Sequence, residues 1–148
     1  MKNQILRSIA ILGLFIMLAM TSVQAQMPSR AEVKVPFDFA IGKVQFKAGT
    51  YSFRKLTDST LTIRDVNGKG TITTLVDAPL TIGSRDSKAG ERLVFNQYGN
   101  QYFLSQVWLS SDTGRQLFTS GAETKAAREY KLAHNNAKPQ RVEVAASR

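Results

Sequence analysis

Apolar side chains on alternate positions constrain this chain more than any other feature. They recur from Val33 to Leu109, in short runs broken by turn residues. A period of two places every second side chain on one face of an extended segment. There is no cysteine anywhere, so burial of those faces has to hold the fold without covalent help. Val33, Val35, Phe37, Phe39 and Ile41 form the cleanest stripe. Pro36 interrupts it with a residue that cannot donate to a ladder, which predicts an edge strand or a break. Gly42-Lys43 turns the chain into Val44 and Phe46, and Ala48-Gly49 turns it again into a third strand carrying Tyr51 and Phe53.

Leu61 and Ile63 make a further strand. Asn67-Gly68 then signals a tight primed hairpin turn into the β-branched run Thr71 to Val76. Pro79 to Ile82 reads as a short extended piece and Ser84 to Gly90 as a polar loop. Leu93 and Phe95 precede Gly99-Asn100 and the strand Tyr102 to Leu109. That strand is apolar on both faces, with Tyr102, Leu104 and Trp108 on one and Phe103, Val107 and Leu109 on the other. It is therefore expected to be central and covered on both sides. Ser111 to Gly114 reads as a turn, and Leu117-Phe118 closes the β region. About eight short strands with frequent turns predict a mainly β fold, a small antiparallel barrel or sandwich.

The period changes at Ser120. Ser120 and Glu123 fit a capping box, and Ala122, Ala126, Tyr130 and Ala133 make a narrow stripe at helical spacing. One C-terminal α-helix over 122–134 is expected to lie against the β domain through Tyr130, ended by Asn135-Asn136 and Pro139. Residues 135–148 read as a flexible basic tail, with Val142 and Val144 as an alternative edge strand.

The first 25 residues have a different character. Lys2 and Arg7 precede the uncharged apolar stretch Ile9 to Met20, and Val23-Gln24-Ala25 supplies small residues before Gln26. That order is the signature of a secretory signal peptide cleaved between Ala25 and Gln26. Twelve apolar residues are short of the roughly 20 that a spanning helix needs. Export to the periplasm or the extracellular space is the expectation, with the β domain over 26–121. The segment removes two of twenty basic residues and none of eleven acidic ones, leaving 18 against 11, a charge of +7. Such a balance favours anionic partners.

Two groups of residues together resemble a family of small exported bacterial proteins with no established activity. One is Val35-Pro36-Phe37-Asp38-Phe39 with Lys47-Ala48-Gly49-Thr50-Tyr51. The other is Leu93-Val94-Phe95 with Tyr98-Gly99-Asn100-Gln101-Tyr102-Phe103-Leu104. The likeness covers most of 33–130, with Gln97 where the family often has a basic residue. It implies export and a single β-rich domain, and it carries no catalytic residue.

The signals for chemistry are sparse. Asp112-Thr113-Gly114 is the aspartic-protease triplet, but Ser110-Ser111 before it and Arg115 after it are the wrong context, and turn chemistry explains it equally well. Ser52 and Lys55 match Ser-x-x-Lys, but on a strand they fall on opposite faces. His134 is the only histidine and sits at a helix end. Asp65, Asn67 and Gly68 lack the spacing and closing Glu of a calcium loop. No cofactor motif is present. Tyr98, Tyr102, Phe103 and Trp108 near Arg92 and Arg115 suggest either core or a base-stacking surface. Lys125, Arg128, Lys131, Lys138 and Arg141 are the candidate anion-binding residues. Three functions follow as expectations. The first is a non-enzymatic structural or binding module of the envelope or exterior, taking a small apolar ligand in its interior or on a sheet face. The second is a binder of acidic polysaccharide or nucleic acid. The third is a hydrolase whose least poor candidate is Asp112.

Overall fold

Pro36 decides where the first stripe divides. In the computed structural model, which describes residues 30–68, 70–81, 90–110 and 113–146, that stripe forms two strands in different sheets. β1 (Arg30–Val35) pairs antiparallel with β4 (Gly49–Thr57). β2 (Phe39–Ile41) leaves that sheet and pairs with β3 (Val44–Phe46). Phe37 lies between them, its ring stacked on Tyr102 at 3.9 Å and edge-on to Phe95 at 5.1 Å.

The remaining strands are β5 (Thr60–Asp65), β6 (Thr71–Thr81), β7 (Arg92–Tyr98), β8 (Gln101–Trp108), β9 (Thr113–Leu117) and β10 (Gln140–Ala145). The principal order is β1-β4-β5-β6-β9-β8, with β7 on the other edge of β8 and β10 outside β7. β2 joins β8 by a parallel pairing at Ala40 and Phe103. The first half of β6 pairs with β5, and its second half, beyond Val76, pairs with β9. One strand thus belongs to both halves of a sandwich. The sheet does not close into a barrel, although β10 approaches β1.

The interior is filled. Phe39, Phe53, Phe95, Leu61, Ile63, Leu93, Val33, Val35 and Val107 are almost wholly inaccessible. Each sits on the inward face of its strand, as the alternation requires. β8 is central, but its faces are not those expected. Val94 pairs with Gln106 and Phe95 with Leu104, so Ser105 is an extra residue. This bulge shifts the alternation by one. Tyr102, Leu104, Val107 and Leu109 pack inward, whereas Trp108 faces out beneath the Arg92 guanidinium, 4.5 Å from its ring centre. Gly114 lies directly against that indole, where a Cβ would come 2.6 Å from Trp108 Cδ2. Arg92 Nε is 3.4 Å from Glu143 Oε2, but the approach is not aligned as a hydrogen bond.

Three local expectations change. Gly68 has φ +81°, but Asn67 is not in the left-handed region. Gly68 N donates to Asp65 O at 3.0 Å and Asp65 N to Gly70 O at 3.0 Å, closing a longer loop than a two-residue primed turn. Gly49 opens β4 without a positive φ, and Thr113-Gly114 begins a strand rather than completing a turn. The tail differs likewise over its described residues, 135–146. Gln140–Ala145 pairs with β7 from Gln97 to Arg92, with Val142 and Val144 against the core. The short alternation of two valines was enough because β7 offered an open edge.

The helix α1 (Gly121–Ala133) covers the outer face of β7 and β8. Ser120 Oγ accepts from Glu123 N at 3.1 Å, the expected cap. Asn135 and Asn136, at φ 52° and 63°, end it. Its buried side is Glu123 and Ala126 with Ala127 and Tyr130, while Ala122 and Ala133 are exposed. The expected signal peptide with its cleavage position at Ala25 and Gln26, most of the expected polar loop Ser84 to Gly90, and Ser111 and Asp112 of the expected turn lie outside the described residues.

Candidate functional site

Two departures from the apolar pattern meet at one open end of the sandwich. On β4 the inward series Tyr51, Phe53 continues to Lys55, and on β9 the series from Leu117 continues to Arg115. Arg115 stands opposite Val107 in the ladder. Lys55, Val107, Leu109, Ser110, Thr113, Gly114 and Arg115 line a cleft of about 170 Å³. The β4–β5 turn brings Asp58 to its rim. Asp58 Oδ1 is in contact with Lys55 Nζ and lies 3.6 Å from Arg115 Nη2.

The charges in this cleft are unequally buried. The Arg115 side chain is 14% exposed, that of Lys55 38% and that of Asp58 87%. Arg115 Nη1 donates to Gly114 O at 3.1 Å, and its Nε is buried without a hydrogen-bond partner. Lys55, first, and then Arg115 hold the Asp58 carboxyl below its ordinary pKa. Two cations face one carboxylate over an apolar floor of Val107 and Leu109. Such a site can hold an anion through charge-assisted hydrogen bonds while the floor accepts a short apolar group. The signal was present in the sequence as cations interrupting inward-facing apolar series, but their meeting depends on the β6 crossover.

A second buried polar cluster lies under α1. Glu123 is 4% exposed and its Oε1 accepts from Asn96 Nδ2 at 2.8 Å and from Tyr98 OH at 3.4 Å. The carboxylate reaches the sheet instead of returning to the Ser120 backbone, so only half of the capping box forms. Burial, and then Glu123, push the Tyr98 phenol up to about 12. The folded form resists deprotonation while an unfolded tyrosine loses its proton near pH 10. Stability is therefore expected to fall between about pH 10 and pH 12, by roughly 2 kcal/mol from this group. Denaturant titrations across that range check it, and Tyr98→Phe is expected to reduce the slope.

The other sequence candidates separate. Ser52 faces outward and Lys55 inward, which prevents the pair from acting together. Tyr98, Phe103 and Trp108 are buried, and Tyr102 is half-buried against Phe37. His134 stacks on Tyr130 at 4.2 Å. Lys125, Arg128 and Lys131 are exposed on α1, where Lys125 lies 3.9 Å from Glu129. Lys138 follows the helix, and Arg141 alternates with Glu143 on β10. Among the described residues no three His, Cys, Asp or Glu side chains gather as metal ligands, and no helix is long and apolar enough to cross a membrane.

No family model, curated protein or solved structure matches this chain.

Proposed function

We propose that this chain is an exported, non-enzymatic binding module of the envelope or extracellular space, belonging with the small exported β-rich proteins it resembles. Its ligand is a small molecule with one anionic group and a short apolar portion. The observation that carries this reading is the pairing of inward-facing Lys55 and Arg115 above Val107 and Leu109, with only Asp58 opposing them among the described residues. The filled interior supports a ligand at the mouth of the fold rather than at its centre.

Titration with inorganic phosphate and with a short alkyl carboxylate, followed by NMR, tests it. Saturable shifts are expected at Val107 and Arg115. Arg115→Gln is expected to weaken binding about tenfold or more, the worth of a charge-assisted hydrogen bond. Asp58→Asn is expected to tighten it several-fold, because it removes the competing carboxylate. No saturable shift, or weaker binding in Asp58→Asn, would overturn the reading.

A further inference from the structure

The outer face of the half-sandwich β1-β4-β5-β6 carries an unusual arrangement of charge. Arg30 stands directly opposite Arg54 across β1 and β4. Arg54 pairs with Thr62, and Ser52 with Arg64, so Arg64 sits diagonally from Arg54. Cβ atoms of opposite residues are about 5 Å apart and diagonal ones about 7–8 Å, and like charges so placed are destabilising. Lys34 shares the face. Against these four cations stands Glu32, 3.7 Å from Arg30. Arg54, Arg64 and Lys34 have no ion-pair partner among the described residues.

Beside the arginines runs an apolar row. Leu56 follows Arg54 in the bulged end of β4, and Thr60 leads across to Leu75. Val76 pairs with Leu117, so the next positions along that ladder, Leu75 and Phe118, are neighbours. Leu56, Leu75 and Phe118 are 54%, 60% and 56% exposed. Asp77 is exposed in the irregular stretch of β6 between Val76 and Pro79.

We propose that this face docks on an anionic lipid surface. The arginines and Lys34 meet headgroup phosphates, while Leu56, Leu75 and Phe118 enter the boundary with the acyl chains. Charge complementarity requires a polyanion, and the apolar row requires that its surface also be oily. A soluble acidic polymer satisfies only the first. The basic rows carry threonine and serine between the cations and no ring on which bases or sugars stack. A lipid surface satisfies both demands.

Co-sedimentation of the whole chain with vesicles of phosphatidylcholine alone, or mixed equally with phosphatidylglycerol, provides the test. All variants share residues 1–29, so that segment contributes equally to each. Binding is expected on the mixed vesicles and is expected to weaken with salt. Arg54→Ser/Arg64→Ser should lower it about thirtyfold, from the usual worth of two basic residues at such a surface. Arg54→Lys/Arg64→Lys should largely keep it, and Leu75→Ser/Phe118→Ser should lower it about tenfold. Binding unchanged in the first and last variants would overturn the proposal. So would heparin retention that needs the arginines while Leu75→Ser/Phe118→Ser leaves vesicle binding intact. Arg115→Gln, which lies in the cleft, is expected to leave vesicle binding unchanged, keeping the two proposals separate.

Discussion

Phe53→Ala is expected to destabilise the protein by about 3–5 kcal/mol, the usual cost of emptying an aromatic site in a packed core. Phe53 is 0% exposed and sits midway along β4, where Val33, Ile63 and their neighbours leave no solvent to refill the space. Total stability of a domain is typically about 5–15 kcal/mol, so this one truncation removes a large part of it. No disulfide compensates. Urea denaturation followed by circular dichroism measures the loss. Phe118→Ala is the natural control. Phe118 is 56% exposed, and the same chemical change there is expected to stay within about 0.5 kcal/mol. Equal losses at the two positions would mean that the inward and outward faces are wrongly assigned.

Ending the chain at Pro139 is expected to cost a similar amount, about 3–5 kcal/mol. It removes the ladder between β10 and β7 and takes Val142, Val144 and Ala146 off the core. The lost ordering entropy of the strand offsets part of this. A second effect is expected to be plainer. β7 becomes an unpaired edge, and unpaired edges recruit other chains. Size-exclusion chromatography should show self-association of the shortened protein. A monomer that unfolds at the same temperature as the whole chain would show that β10 contributes nothing.

These expectations depend on features that differed in how openly the sequence displayed them. The strands were legible because apolar alternation is a local property, and so was the helix, through Ser120 and its short side chains. The fate of Pro36 was half legible. A missing amide predicts a break, but where β2 goes depends on the parallel pairing of Ala40 with Phe103, 63 positions away in the chain. Trp108 went to the unexpected face because the bulge at Ser105 is created by pairing and leaves no mark in composition. Glu123 was read as a cap residue, yet its carboxylate is held by Asn96 and Tyr98 of another element. The cleft was the least legible feature. Lys55 and Arg115 each look like an ordinary surface cation at the end of a strand. Only the sandwich reveals that both point inward and that Asp58 joins them. The clustered arginines of the outer face were hidden for the same reason, since opposite positions on paired strands are distant in sequence.

The long strand from Thr71 to Thr81 hydrogen-bonds to β5 with its first part and to β9 with its second. Neither layer can peel away whole without bending or releasing a backbone it shares with the other. Amide exchange should consequently report a single protection class across Phe53 and Val107, with one opening energy for both layers. The hinge through which a two-layered protein can admit something large between its layers is, here, stitched shut by its own main chain.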